Sequence, residues 1–336
     1  MNGTFSGFFA VDVFGNAFLQ AMSNGRMNSV SVVIVTWNSA SHIRACVTSV
    51  RDASDEVLGP LDVVVVDNKS GDGTLQLVGR VFPEVRCVQT HRNMGFGAAA
   101  NIGISQASGD AVLVLNPDAV LERGALGAML SHLRDNAELG CVAPMQRGPA
   151  GSTIFPGRRF PSLLAAIADG TIIQRFLPDL AALRRYYMVG EHLAEPEWLV
   201  GACLCFRRKA LLSTGGFDVG YEMYSEEMDL LKELALTGWP CAVTTDAYIF
   251  HHGSASADQD PVAREQRFFR SRYRYVSKTW GVPVAVFLRV FVATTGVLRC
   301  GEQLLRMCRP SHRKSAVSEI RQIVAVTTWQ WFGWRR

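Results

Sequence analysis

Four polar segments in the first half of the chain each follow an apolar run: Thr36-Trp37-Asn38, Asp67-Asn68-Lys69-Ser70, His91-Arg92-Asn93 and Asn116-Pro117-Asp118. Side chains of these types hydrogen-bond ligands, and they also make turns and cap helices. Four such loops in one repeating pattern favour a shared ligand over four separate turns. Further on, Ser225-Glu226-Glu227-Met228-Asp229 places three carboxylates together, and His251-His252 follows the apolar Ala247-Tyr248-Ile249-Phe250. On a helix, positions 226 and 229 share a face while 227 points about 100° away. A single role for all three carboxylates is therefore excluded. One can move a proton while another favours the helix N-terminus through its dipole.

The run Gly95-Phe96-Gly97-Ala98-Ala99-Ala100 fits G-x-G-x-x-A, a dinucleotide-binding fingerprint. That fingerprint belongs in the tight turn directly after the first strand. Here the first strand, Val30 to Thr36, runs into Trp37-Asn38-Ser39 instead. His91 to Met94 also separate Gly95 from the apolar run before it. The glycines call for another explanation than a dinucleotide.

The elements that must position these residues alternate. Apolar runs at 30–35, 61–67, 85–90 and 111–116 are separated by helical patterns near 41–53, 74–81 and 98–107. Uninterrupted Val, Leu and Ile runs are strands buried on both faces, and the alternation predicts an open, mostly parallel α/β sheet flanked by helices. Ligands of such sheets bind beyond the carboxyl ends of the strands, where the polar segments stand. Residues 146–197, rich in Arg, Pro and Gly, read as an insertion of loops and short helices.

At 336 residues, 48% of them hydrophobic, the chain can bury a sizeable core as one large or two modest domains. Its eight cysteines include no C-x-x-C pair, which indicates neither a zinc site nor a disulfide framework and suits a reducing cytosol. The first residues lack the basic start of a signal peptide, and Met27 is a candidate start. The net charge of +4 is polarised: residues 262–336 carry 15 Lys and Arg against 3 Asp and Glu, so 1–261 are net negative. A basic, aromatic-rich tail suggests an anionic surface. No nucleic-acid-binding motif is present, and a membrane leaflet fits better.

"TWN", "VVVDNKSGDGT", "NMGFGAAANIGI", "VLVLNPDA", "WLVGACLCFRRKALLSTGGFD", "YSEEMDLLKEL" and "HHGSAS" occur in the order seen in inverting family-two glycosyltransferases of the GT-A fold. The resemblance covers about residues 29–275 and is closest to bacterial rhamnosyltransferases of cell-wall and polysaccharide assembly. It implies a nucleotide-sugar half (29–145), an acceptor half (146–275), a leader (1–28) and a basic amphipathic helical tail (276–336).

It also implies roles. Asp67 resembles the carboxylate that accepts a hydrogen bond from the pyrimidine N–H, with Thr36, Asn38, Asn68 and Ser70 nearby. Asn93, Gly95 and Asn101 resemble the loop and helix flanking the nucleotide, with Gly95 and Gly97 allowing its close approach. Asn116 and Asp118 occupy the place of the family's D-x-D, with Asn for the first Asp. That leaves Asp118 as principal ligand of a divalent cation, Mg²⁺ or Mn²⁺, and His251 as its partner, with His252 as the alternative. Glu227 carries over as the base, with Glu226 and Asp229 as competitors. Trp198, Gly201 and Asp218 resemble acceptor-side positions, and Trp198 is equally a core residue.

The apolar stretch Val284 to Leu298 is 15 residues long and carries Arg289, shorter than the ~20 that a spanning helix needs. Basic residues 264, 267, 270, 272, 274 and 278 before it, and 299, 306, 309, 313 and 314 after it, give the look of an interfacial anchor. The other reading is a helical pair packed on the domain, with a homodimer as one use. The resemblance implies a donor such as dTDP-rhamnose, a lipid-linked or glycan acceptor, and a cytoplasmic enzyme on the inner face of a bacterial plasma membrane.

Overall fold

The computed structural model describes residues 27–149, 151–189, 195–253, 260–307 and 313–333. Most of the expected leader and the segment after Gly253 lie outside these residues.

Strand β1 (Val30–Thr36) is buried along its whole length, which is why its sequence shows no alternation. It pairs in parallel with β2 (Leu61–Asp67) on one side and β4 (Ala111–Leu115) on the other. The β1/β2 register sets Thr36 opposite Asp67, so both strands end at one edge. β3 (Arg86–Gln89) extends the sheet beyond β2. The remaining strands are β5 (Ala119–Leu121), β6 (Cys141–Arg147), β7 (Thr153–Ile154), β8 (Gly157–Arg158), β9 (Trp198–Leu199), β10 (Cys203–Arg207) and β11 (Cys241–His251). The main sheet runs β3-β2-β1-β4-β10-β6-β11-β5, with β7 on β6, and β8 and β9 form a separate ribbon. The parallel expectation holds for β3, β2, β1 and β4. The second half is mixed, because β10 runs antiparallel to β4 and β5 antiparallel to β11.

Helices α1 (Ile43–Asp52), α2 (Thr74–Val81), α3 (Phe96–Ser105) and α4 (Ala125–Asp135) make the first crossovers. The insertion supplies α5 (Leu163–Ala168), α6 (Ile172–Phe176) and α7 (Ala181–Tyr186), followed by α8 (Arg208–Ser213) and α9 (Glu226–Leu236). One face of the sheet packs with α1 and α4 around Ile34, Leu113, Leu126 and Met129. The other packs with α3, α8 and α9 around Val66, Val114, Phe206 and Leu234.

The chain ends in α10 (Pro261–Trp280), α11 (Val282–Met307) and α12 (Arg313–Phe332). Asp260 accepts a hydrogen bond from the Ala263 N–H at 3.0 Å and caps α10, which stops at Gly281 with φ +93°. This helix runs through the expected boundary at 275 and lies against the domain. Arg267 and Arg270 reach Glu222, and Arg274 and Lys278 reach Asp218. Arg272 is buried, bonded to Asp169 and to the carbonyls of Ala166 and Asp169. These five bases, expected to face lipid, answer acidic groups of the domain instead. The charge polarity along the sequence is thus partly answered across the α10–domain contact.

α11 and α12 run antiparallel: Arg289 donates to the carbonyls of Gln330 and Trp329, while Gly296 meets Thr327. The 15-residue apolar stretch underestimates α11. Val282–Arg306 contains an 18-residue window with a mean hydropathy of 1.6, and by length and composition it is long and apolar enough to cross a membrane.

Candidate active site

A cavity of about 350 Å³ opens where β1, β2 and β4 end, bounded on the far side by β9, the start of α9 and the first turns of α10. Trp37, Asn68, Asn93 and Gly95 line the nucleotide-half wall, Asn116, Pro117, Asp118 and His251 the floor, and Gly201, Glu222, Tyr224, Glu226, Glu227 and Arg267 the opposite wall.

Asp67 closes β2 and is fully buried. Its Oδ2 accepts from the Ser70 N–H at 3.0 Å and from Gln89 Nε2 at 3.1 Å, whereas Oδ1 has no partner among the described residues. A buried carboxylate oxygen with no donor is costly unless a ligand supplies one. Thr36 Oγ1, at the adjoining strand end, is orphaned in the same way. Asn38 is held by Ser70: its N–H donates to Ser70 Oγ at 2.9 Å and its Oδ1 accepts from the Gly71 N–H at 2.9 Å. Asn68 spends its amide on the next loop, donating to Asn93 Oδ1 and the Gly95 carbonyl at 3.0 Å each and accepting from the Met94 N–H.

Gly95 has φ +85°, and a Cβ there would lie 2.6 Å from the Glu222 carbonyl oxygen. A Cβ on Gly97 would lie 2.9 Å from that of Phe217. These glycines permit the close approach of the acceptor-half segment 217–222, and Gly95 also lines the cavity. Asn101 lies off the lining: its amide clamps Phe217, donating to the carbonyl at 2.8 Å and accepting from the N–H at 2.9 Å.

On the floor, antiparallel pairing sets His251 opposite Ala119. His251 Nε2 thereby stands 3.3 Å from Asp118 Oδ1. Burial raises the Asp118 pKa, but the hydrogen bond and charge of His251, with His42 beyond, outweigh it and hold the carboxyl below its ordinary value. His252 packs its ring on His42 and Phe250, at 4.6 and 4.8 Å between centroids, and meets Asp118 only through its backbone. Among the described residues no three His, Cys, Asp or Glu side chains cluster to hold a metal by themselves.

Tyr224 and Ser225 both have left-handed backbone, φ +73° and +66°, immediately before α9. Such conformations cost about 1–3 kcal/mol each for residues with a Cβ. Here they turn the chain so that Glu226 and Glu227 open α9 at the cavity. Both carboxylates keep an unpartnered buried Oε2. Burial, then the charge of Glu227, drives Glu226 well above the usual carboxylate range. Burial also raises Glu227, against backbone hydrogen bonds at Glu227 and Gly201. A Cβ on Gly201 would sit 3.4 Å from Glu227 Cγ, so that glycine forms the wall behind the carboxylate.

Of the expected residues, Thr36, Asn38, Asp67, Ser70, Asn101, Trp198, Asp218, Asp229 and His252 do not line the cavity. Asp229 is buried and paired to Lys278 Nζ at 2.5 Å, away from the cavity lining. Asp218 is bound to Arg274 and Lys278, which fixes the start of the 218–225 segment to α10 and leaves no carboxylate face for an acceptor. Trp198 is core: it is 7% exposed, stacks on Tyr186, and its indole donates to the Arg159 carbonyl at 2.9 Å. Arg267, which lines the cavity and lies 6.0 Å from the Trp37 ring centroid, was read in the sequence only as one base of a basic tail. Its position seven residues into α10 gives no local signal.

Comparison with known proteins matches this architecture. The family described as glycosyl transferase family 2 matches residues 31–190. The N-acetylglucosaminyl-diphospho-decaprenol L-rhamnosyltransferase of Mycobacterium tuberculosis is 31% identical over 297 residues, covering 83% of this chain and 95% of that protein. Chondroitin synthase of Escherichia coli is 29% identical over 141 residues, 40% of this chain and 20% of its own. The crystal structure of GalNAc-T7 with UDP, GalNAc and Mn²⁺ superposes with a TM-score of 0.53 at 14% identity, covering 76% of this chain and 48% of that one, a likeness of fold. With a relative aligned over nearly its full length and a GT-A-like mixed sheet carrying the polar loops at one edge, the chain belongs to glycosyl transferase family 2.

Proposed function

We propose that this glycosyltransferase moves L-rhamnose from dTDP-rhamnose, with inversion, to a hydroxyl of a lipid-linked or polysaccharide acceptor. The observation that carries the chemistry is the Glu227 carboxylate, whose buried Oε2 has no partner among the described residues, in one cavity with the Asp118–His251 pair. Asp67 Oδ1 accepts the pyrimidine N–H. Glu227 takes the proton of the acceptor hydroxyl as its oxygen attacks the anomeric carbon, and the bond from that carbon to the diphosphate breaks on the opposite face. Asp118 and His251 offer one carboxylate and one imidazole, a set that suits Mg²⁺ or Mn²⁺ completed by diphosphate oxygens. Such a cation stabilises negative charge on the departing diphosphate. The rhamnosyl donor and lipid-linked acceptor rest on the mycobacterial relative's name.

A lipid-linked acceptor would be met at the inner face of a plasma membrane, and this is the setting proposed for the chain. α11 exposes Phe287, Val290, Val297, Leu298, Leu304 and Leu305 at helical spacing, an apolar face suited to a lipid surface.

Calorimetric titration with dTDP, UDP and GDP, each with and without Mn²⁺, tests the donor; tight metal-dependent binding of dTDP alone is expected. Preference for UDP or GDP would replace the donor by UDP-galactofuranose, UDP-GlcNAc or GDP-mannose. Binding without any transfer would favour a nucleotide-binding protein of weak catalysis, the reading suggested by Asn116 and Glu227 standing where aspartates are commoner. Unchanged transfer in Asp118→Ala and Glu227→Gln would overturn the mechanism.

A further inference from the structure

Among the described residues lining the cavity, Arg267 is the only Lys or Arg, against the four carboxylates of Asp118, Glu222, Glu226 and Glu227. Its guanidinium is therefore the fixed positive charge that an anion entering the cavity past these lining residues can meet. Arg267 does not point freely into it: Nε donates to Glu222 Oε1 at 3.0 Å. Glu222 has a second arginine, Arg270, whose Nη1 donates to Oε2 at 2.5 Å. Arg270 lies outside the lining and rests over the Trp329 ring, 5.6 Å from its centroid. One carboxylate is thus held between a cavity-side and an outer arginine. Its backbone is fixed independently, since its carbonyl accepts from the Phe96 N–H at 3.1 Å and Ser271 Oγ donates to the Met223 carbonyl at 2.7 Å.

We infer that Arg267 is a binding residue for a diphosphate, held at the cavity edge by Glu222 and transferred to phosphate oxygens when the ligand enters. The guanidinium fork matches two phosphate oxygens, and a neutral sugar offers no comparable partner. Arg270 is what makes the transfer feasible, because Glu222 remains paired after Arg267 leaves it. The inference rests on the glycosyltransferase reading, in which a diphosphate is present twice: as the leaving group of the donor and in the link of a lipid carrier to its sugar.

The test compares wild type with Arg267→Gln, Arg267→Lys, Arg270→Gln and Glu222→Gln, each first checked for an unchanged thermal melt. Calorimetry then measures affinity for dTDP or UDP, for the corresponding nucleoside, and for geranyl diphosphate. Loss of about tenfold or more in nucleoside diphosphate affinity by Arg267→Gln, with nucleoside affinity unchanged, assigns the donor diphosphate. The same loss confined to geranyl diphosphate assigns the carrier's. Arg267→Lys recovers part of either loss. Arg270→Gln weakens diphosphate binding by a smaller factor, because Glu222 then holds Arg267 alone. Glu222→Gln strengthens it several-fold by releasing Arg267, whereas a merely structural bridge would give weakening, and that result overturns the transfer from Glu222. If wild type binds nucleotides and Arg267→Gln binds every diphosphate equally well, the inference alone fails. If wild type binds no nucleotide or prenyl diphosphate, the glycosyltransferase reading falls with it.

Discussion

Glu226 and Glu227 are consecutive residues that both line the cavity, but Glu226 is 5% exposed, while Glu227 is half-buried beside Gly201. Only a carboxylate that is ionised can accept the acceptor's proton, and burial raises the Glu227 pKa above its ordinary value. Transfer must therefore decline on the acid side as pH falls through that raised value, higher than a free Glu would give. Burial and the charge of Glu227 put the Glu226 pKa the higher of the two, so Glu226 is already neutral where Glu227 titrates and Glu226→Gln should leave the acid limb in place. The pH profile of kcat/KM measures it, and a limb moved to lower pH would show that Glu226 carries charge there. Glu227→Gln is expected to lower kcat by about 10²–10⁴ with nucleotide affinity retained. The Asp118–His251 pair was reached from the sequence only through the family resemblance, and the β5/β11 register is what sets the two 3.3 Å apart. The contacts of Asn101, Trp198 and Asp218 were not legible in it, since the polar atoms of these residues are taken by partners 116, 39 and 56 residues away.

Helix α10 turns from a tail into a wall of the active site through ion pairs. The Gly220 N–H, Lys278 and Arg274 hold Asp218 down to about 2 against the opposing effect of burial. A carboxylate depressed in the folded state contributes stability above its unfolded pKa of about 3.9 and loses it as pH falls toward the folded value. Asp218→Asn should thus lower stability at pH 7 by roughly 0.5–1 kcal/mol, given its partial exposure. The gap to wild type should close as melts are repeated from pH 4 toward pH 2; a gap independent of pH would assign the loss to packing. Gly95→Ala acts on the same junction from the other side. Its φ of +85° and the 2.6 Å approach to the Glu222 carbonyl predict a loss of about 1–3 kcal/mol or more in denaturant unfolding. At this scale β1, β2 and β4 were legible because burial on both faces writes itself as continuous Val and Leu. The two-residue β8 and β9 carry no periodicity, and α10 was masked by its own charge, whose partners lie in segments distant along the chain.

Among the described residues, seven bases of the C-terminal helices are paired with acids, and α11 shows an apolar face outward. Arg267, Arg270, Arg272, Arg274 and Lys278 are paired with the domain's acids, and Arg299 and Arg306 with Glu265 and Glu302. α11 meanwhile leaves Phe287 57%, Leu298 63% and Leu305 75% exposed along about two-thirds of its length. α6 is tied beside its far end by the Arg175–Glu302 pair and adds exposed Phe176, with Leu177 just beyond it. If this face meets a bilayer, attachment is driven by burial of apolar surface rather than by attraction to anionic headgroups, and the two leave different signatures. Electrostatic attachment fades with ionic strength as charges are screened over about 8–10 Å, whereas apolar insertion does not. Flotation with purely zwitterionic vesicles should therefore recover the chain, and 0.5 M salt, an arbitrary but strongly screening choice of roughly three times physiological ionic strength, should remove little of it. Phe287→Ser, Leu298→Ser and Leu305→Ser together should lower vesicle partition on the order of a hundredfold, since a large side chain leaving water gains about 1.5–3 kcal/mol when fully buried and these insert in part. Their exposure in the folded chain keeps the melt unchanged. Binding confined to anionic vesicles and abolished by salt would return the membrane contact to basic residues, and a triple variant that floats as well as wild type would leave the α11 face to a second copy of the chain.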